Sequence, residues 1–152
     1  MRPVLSAIVV LWCLSACQPQ LARQLARQKP FTLEVRTTGC MGTCPVYRLR
    51  LSSDGRAQYR GRHHVAVKDT LNRTLPDSAV AKVRQALIRS RFSTLDSAYD
   101  DPYTADLPST IIKLRLPDRG YEKSVISRID PPPRLQELEA VLRRLHDTYF
   151  QP

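Results

Sequence analysis

Residues 47–60 read YRLRLSSDGRAQYR, and their apolar residues occupy every second position over 47–51 and again over 57–59. This alternation is typical of β-strands that have one buried face and one wet face. The Asp54-Gly55 pair between the two runs is a strong turn signal. The stretch therefore predicts a β-hairpin whose wet face carries mainly arginine.

The same alternation recurs on both sides of this hairpin. It predicts further short strands at 31–35, 65–67, 112–116 and about 122–129. In the segment at 65–67 the strand signal is limited to Val65 and Val67, so this fourth strand is the shortest of the set.

Two other segments follow helical periodicity. The first begins at Pro76-Asp77-Ser78, with Asp77 or Ser78 as the expected N-cap, and ends near residue 90. The second follows the prolines at 131–133, which suit the first turn of a helix. Its apolar residues recur at steps of three and four, at Leu135, Leu138, Leu142, Leu145 and Tyr149.

The predicted order of elements is β-β-β-(β)-α-β-β-α, with the segment at 65–67 in brackets. Hairpins imply antiparallel pairing, and one-faced alternation implies that one face of the sheet is wet. We therefore expect a two-layer α+β domain over 31–150, with an antiparallel sheet of about five to six strands and both helices on one face. A chain of 152 residues fits one such domain with one modest core.

The first residues have the pattern of a secretory leader. A basic start precedes an apolar run over 4–14, which is too short to span a bilayer. The closing Leu14-Ser15-Ala16-Cys17 resembles the lipobox of bacterial lipoproteins. The resemblance implies that residues 1–16 are a signal peptide and that Cys17 becomes acylated.

Acyl chains on Cys17 would make a durable membrane anchor. Residues 17–30 are then expected to be the lipidated cysteine and a polar, glutamine-rich tether. By resemblance to Gram-negative sorting rules, Gln18 directs the protein to the periplasmic face of the outer membrane. No candidate for a bilayer-spanning helix is evident in the sequence.

The chain is strongly basic, with 24 Lys+Arg against 14 Asp+Glu and a net charge of +10. Alternation places six cations on the open face of the predicted sheet, with Glu34 as the main acid among them: Arg36, Arg48, Arg50, Arg60, Lys113 and Arg115. Such dense like charge costs stability unless counterions or a partner neutralise it.

This basic face has two interpretations. It is either a solvated surface that aids solubility or a site for an anionic partner, such as lipopolysaccharide phosphates, an acidic wall polymer or an acidic protein. Nucleic acid is not an expected partner, because the envelope is the wrong compartment and no nucleic-acid-binding motif is present.

Cys40 and Cys44 lie within the segment GCMGTCPVY at 39–47, and three interpretations compete there. The first is a small structural disulfide loop between the first two strands, in which Gly42 permits a tight backbone. The second is thiol-redox chemistry, although the spacing is not the C-x-x-C of thioredoxin-like proteins.

The third interpretation is a copper(I) site, because thiolates are soft ligands. Histidines at 63, 64 and 146 are available as a further ligand. His63 and His64 would point to opposite faces if they are neighbours in a strand, so at most one of them could join Cys40 and Cys44.

The segment TGCMGTCPVY at 38–47 resembles the opening motif of a bacterial family, domain of unknown function number six thousand four hundred and thirty-eight. Two further segments are similar to that family: the turn at 54–55 that leads to Tyr59-Arg60-Gly61, and TADLPST at 104–110. The resemblance covers about residues 31–148. It implies relatedness and carries no known activity.

No sequence pattern indicates catalysis, because the nucleophile elbow, the zinc-protease helix and a phosphate-cradling glycine loop are all missing. We expect neither enzyme activity nor a cofactor. The favoured function is a lipid-anchored binding or scaffolding module with a structural Cys40–Cys44 disulfide. The alternative is a periplasmic thiol-redox or copper-handling protein that uses the same two cysteines.

Overall fold

The computed structural model describes residues 20–152 apart from residues 28, 102 and 105. The predicted signal peptide and Cys17 lie outside the described residues. The helices are α1 (Gln20–Ala26), α2 (Asp77–Arg89) and α3 (Pro133–Phe150). The strands are β1 (Thr32–Thr37), β2 (Val46–Ser52), β3 (Arg56–His63), β4 (Thr70–Thr74), β5 (Ala98–Tyr99), β6 (Thr110–Leu116) and β7 (Tyr121–Ser127).

The strands form one sheet in the order β4-β3-β2-β1-β6-β7-β5. The predicted hairpin is β2 and β3, which pair antiparallel with Leu49 opposite Tyr59. Strand β1 lies at the centre, between β2 and β6. The predicted α+β class is confirmed, and the sheet has seven strands where five to six were expected.

The two edge strands account for this difference. Strand β4 lies at Thr70–Thr74, so the expectation of a fourth strand at 65–67 is wrong. Its sequence TLNRT has only Leu71 partly buried, so it carries no alternating signal. Strand β5 has two residues, which are too few to show any period. It pairs parallel with β7, so the sheet is mixed where an antiparallel sheet was expected.

The valines at 65 and 67 pack over Gly61. A Cβ built on Gly61 would lie 1.9 Å from the carbonyl oxygen of Val67, so only glycine fits beneath this segment. The hydroxyl of Tyr59 donates to the same carbonyl at 3.3 Å. The glycine therefore permits a close crossing of the chain, while β3 continues through it to residue 63.

The core lies between the sheet and the helices. Eight apolar residues that alternate along β1, β2, β3 and β6 are buried in it: Leu33, Val35, Tyr47, Leu49, Leu51, Tyr59, Leu114 and Leu116. Helix α2 covers them with Val83 and Leu87, and α3 with Leu135 and Leu138. The opposite face of the sheet stays open.

Helix α2 starts one residue earlier than the cap prediction required. Its N-cap is Pro76, and no side chain caps the first turn. Asp77 and Ser78 were each expected to be the N-cap, and both lie inside the helix. The carbonyl of Pro76 accepts hydrogen bonds from the backbone N–H groups of Ala79 and Val80, and both of these residues are buried.

Helix α1 lies within the expected tether and packs on the domain. Leu21 and Leu25 are buried in the main core. Arg84 of α2 donates to the carbonyl oxygens of Leu25 and Lys29, each at 3.2 Å, and its guanidinium lies 4.8 Å from the centre of the Phe31 ring. The described part of the tether is therefore held against α2.

Candidate anion-binding site on the open sheet face

Three arginines stand side by side on the open face of β1, β2 and β3. Arg48 is directly opposite Arg36 on one side and Arg60 on the other. Directly opposite residues in antiparallel strands have Cβ atoms about 5 Å apart. With Arg62, these side chains line a groove of about 380 Å³ beside residues 37–39, and we call it the arginine groove.

Acidic side chains neutralise little of the positive charge in the arginine groove. Among the described residues, none forms an ion pair with Arg36, Arg60 or Arg62. Arg48 contacts Glu34 at 3.4 Å, but the other oxygen of that carboxylate binds Arg50 at 2.6 Å. The groove therefore keeps most of its positive charge.

The other half of the open face is balanced. Glu122 of β7 accepts from Lys113 at 2.5 Å and also from Arg115. The hydrogen bond from Lys113, and then that from Arg115, holds the pKa of Glu122 below its usual value. We call these three side chains the paired patch.

All six cations assigned by alternation lie on the open face, but they do not form one uniform plate. They divide between the arginine groove, the Glu34 pairs and the paired patch. Arg62 also lines the groove, but the alternating run in the sequence stops before it, at Gly61. Continuing the two-residue period from Arg60 through the glycine would have found it.

The disulfide between Cys40 and Cys44 closes the loop at the end of β1, with their Cα atoms 5.7 Å apart. Thr37 ties the loop to β2, because its hydroxyl donates to the carbonyl of Pro45 at 2.7 Å and accepts from the backbone N–H of Tyr47 at 3.0 Å. Thr38 and Gly39, which precede the disulfide ring, line the arginine groove.

Gly42 does not play the expected conformational role in this loop. Its backbone is not in the left-handed region. A Cβ at this position would lie 3.7 Å from the sulfur of Cys40, which is an ordinary contact. Gly42 was expected to permit the tight backbone of the ring, and the conformation observed there does not depend on that freedom.

The segments 38–47 and 104–110 meet beside this loop. The backbone N–H of Thr38 donates to the carbonyl of Ser109 at 3.0 Å, and the N–H of Ser109 donates to the hydroxyl of Thr38 at 2.8 Å. Arg128 adds a hydrogen bond to the hydroxyl of Ser109 at 2.8 Å. These hydrogen bonds hold the two segments together.

The family model described as a domain of unknown function (DUF6438) matches residues 31–146. The chain belongs to this family. No curated protein matches the sequence. Among the described helices, none is both long enough and apolar enough to cross a membrane.

On the buried side of the sheet, Tyr47 packs against His146 of α3. Their rings stack with centroids 4.1 Å apart, and His146 is buried. Its Nδ1 lies 2.9 Å from a carboxylate oxygen of Asp147. Burial, and then the charge of Asp147, raises the pKa of Tyr47 to about 12.

A second cavity, of about 390 Å³, opens beside this stack, and Cys44, Ser109 and His146 are among its lining residues. Glu139 also lines it, and burial raises the pKa of that carboxyl. No periodic signal in the sequence predicts the contact between Tyr47 and His146, because it joins strand β2 to a helix about a hundred residues later.

The two other histidines lie at the end of β3 and directly after it. His63 is at the end of β3, opposite Val46, and His64 follows it with φ at 53°. Both are exposed. Over the part of the chain that the structure describes, no three His, Cys, Asp or Glu side chains are grouped so that they could hold a metal ion.

Proposed function

We propose that this chain is a lipid-anchored protein of the bacterial cell envelope that binds an anionic partner in the arginine groove without catalysis. The observation that carries the proposal is the row of directly opposed arginines, most of which have no acidic partner among the described residues. The proposed location is the periplasmic face of the outer membrane.

The chemistry of the row favours a ligand with several oxyanions. Like charges directly opposite each other in a sheet destabilise it, and a bound anion removes that cost. Each guanidinium is a planar fork of donors that pairs with carboxylate or phosphate through two parallel hydrogen bonds. Four such forks line one groove of about 380 Å³.

The proposed anchor is supported by the lipobox-like sequence at 14–17. Acylation of Cys17 would hold the domain at a membrane, and Gln18 favours the outer membrane in a Gram-negative host. Lipopolysaccharide phosphates, acidic wall polymer and acidic protein are the candidate partners for the arginine groove.

Binding assays on residues 18–152 test this proposal, because that segment contains every described residue. The probes are purified lipopolysaccharide, isolated cell-wall sacculi and polyglutamate as an acidic polypeptide, each over a series of NaCl concentrations. We expect one probe to bind with an affinity that falls as salt rises.

The matched control is the double variant Arg36→Glu, Arg60→Glu, which reverses two unpaired charges on the open face. Its binding to the preferred probe should fall steeply while its circular dichroism spectrum stays unchanged. Failure of all three probes, or binding that the variant leaves intact, contradicts the proposal.

Thiol-redox chemistry at Cys40 and Cys44 is a second candidate, favoured by one observation. Cys44 lines the same cavity as His146 and Glu139, whose side chains can hold or move protons. Intact mass after alkylation, before and after mild reductant, separates the two functions, and copper content measured on the same sample tests copper handling. A structural disulfide stays closed and metal-free, whereas a functional pair cycles or carries copper.

A further inference from the structure

We propose that the helix layer lies against the anchoring membrane, with α1 and the α2–α3 groove on anionic lipid headgroups. The arginine groove then faces away from that membrane, into the periplasm. This inference rests on the lipid anchor of the proposed function, and it goes further by assigning one face to the bilayer and the other to the partner.

The first step is the short distance between the anchor and the folded domain. Cys17 precedes Gln20, the first residue of α1, by three residues. A fully extended chain spans at most about 3.6 Å per residue, so the acylated cysteine is within about 11 Å of the helix. A free tether over residues 18–30 could reach about 47 Å by the same measure.

The second step is that α1 is fixed to the helix layer. Leu21 and Leu25 are buried in the core, and Arg84 binds two carbonyl oxygens at the end of the segment. The packing therefore places the anchor next to α2. The open face of the sheet is on the opposite side of the molecule.

The third step is the charge of this layer. The sequence has no acidic residue before Glu34, whereas Arg23, Arg27 and Lys29 follow the anchor. Clusters of basic residues next to a membrane anchor bind anionic lipids.

The groove between α2 and α3 continues this basic surface. Its volume is about 440 Å³, and its polar rim holds Lys82, Arg89 and Arg144 with no acidic residue among the lining side chains. Val141 and Leu145 supply apolar lining. Cations around an apolar strip complement a phospholipid headgroup and the first methylenes below it.

These steps fix the direction of the arginine groove. Because the helices cover one face of the sheet, the cations on the other face point away from the anchoring leaflet. The partner of the arginine groove is therefore a component in the periplasmic space, and the headgroups of the anchoring leaflet are the ligand of the helix layer alone.

Tryptophan quenching in vesicles tests this orientation. The only tryptophan of the sequence is Trp12, which lies in the predicted leader, so the mature chain has none. Acylated protein purified from host membranes carries either Tyr149→Trp in the α2–α3 groove or Gln58→Trp on the open face. Each variant is reconstituted in phosphatidylglycerol–phosphatidylethanolamine vesicles that contain a headgroup spin-labelled lipid.

We expect at least threefold stronger quenching of the tryptophan at 149 than of the tryptophan at 58. Two changes should reduce this ratio: the reversal Lys82→Glu, Arg144→Glu, and a ten-residue Gly-Ser insertion after Gln18 that frees the anchor. Circular dichroism of each variant confirms that the fold is retained.

Equal quenching at the two positions, or stronger quenching at position 58, overturns the proposal. A ratio unchanged by the insertion, or an intact mass without acyl chains, also overturns it. Failure of the arginine groove to bind sacculi, lipopolysaccharide or polyglutamate would leave this result untouched, because that assay uses the chain without a membrane.

Discussion

The arginine groove and the paired patch lie on the same face of one sheet, and both carry basic side chains on neighbouring strands. On β6 and β7, Arg115 stands directly opposite Glu122, and Lys113 shares that carboxylate. On β3 and β4, Arg60 stands opposite Thr70, which cannot neutralise it. One region therefore satisfies its charge within the fold, and the other leaves its charge available.

This difference shows how little a count of cations says about a binding surface. Both regions look equally basic in the sequence. Their contrast depends on which strand lies alongside and on the residue that the register places opposite each cation. The difference between the arginine groove and the paired patch leads to measurable consequences for anion binding and for stability.

The largest effect is expected from matched charge reversals in the two regions. Arg36→Glu with Arg60→Glu should weaken binding of the preferred anionic probe by roughly 100-fold at low salt. Lys113→Glu with Arg115→Glu should weaken it far less, because those cations already serve Glu122. Titration calorimetry of both double variants makes the comparison, and equal losses would show that the face acts as one plate.

Removal of the disulfide tests how far the loop after β1 supports the arginine groove. Replacing Cys40 and Cys44 by serine should lower the free energy of unfolding by about 2 kcal/mol, as loop entropy predicts for so short a ring. Urea denaturation measures this loss. Anion binding should fall less than in the charge reversal. Complete loss of binding in a folded variant would move the site to the cysteine loop itself.

The buried tyrosine beneath the groove predicts a dependence on alkaline pH. Because the folded pKa of Tyr47 is about 12, the unfolded chain releases this proton first, and stability falls as pH rises from about 10 to 12. The loss due to Tyr47 should be about 1 kcal/mol between pH 9 and pH 11.

Urea denaturation of Tyr47→Phe at both pH values isolates this contribution, since the phenylalanine cannot ionise. The variant should lose less stability than the wild type over the same interval. It should keep its anion affinity at pH 7, because Tyr47 faces the helices. A parallel pH profile for both proteins would contradict the role assigned to burial.

The paired patch should become a weak anion site when its acid is removed. Glu122→Gln frees Lys113 and Arg115, so affinity for the same probe should rise by about threefold with a steeper dependence on salt. Calorimetry at two NaCl concentrations measures both quantities. If affinity does not change, some feature other than charge balance separates the two regions.

The smallest effect is expected when a single cation in each region is replaced by uncharged glutamine. The free energy of unfolding should then change in opposite directions. Arg60→Gln removes repulsion from Arg48 and should raise the free energy of unfolding by about 0.5 kcal/mol. Lys113→Gln removes a partner of Glu122 and should lower it. Thermal denaturation at low salt measures both, and destabilisation by Arg60→Gln would show that the groove is already neutralised.

The local patterns in the sequence predicted most of the fold. The hairpin at 47–60 and both long helices follow from period and turn chemistry, because those signals act over neighbouring residues. The edge strands β4 and β5 were not predictable in the same way, since one is polar and the other has two residues. The valines at 65 and 67 were misplaced because they pack over Gly61.

The same distinction applies to the candidate sites. Alternation assigned six cations to the open face, because the side-chain period of a strand is two. It could not tell which of them are neutralised, since Glu122 reaches Lys113 and Arg115 only through strand register. The segment of helix α1 has the sequence pattern of a tether, because Leu21 and Leu25 stand among polar residues. The burial of these two leucines depends on packing against α2, which the local sequence does not show.

The sequence alone thus determined the α+β class, the basic face and the cysteine pair, since each follows from local spacing, and its resemblance to the family is confirmed by the match over 31–146. The tertiary structure decided which arginines remain unpaired, that Tyr47 stacks on His146, and that the segment after Cys17 packs on the helix layer. These contacts join residues far apart in the chain. Their geometry comes from the packing of strands and helices, which no local pattern encodes.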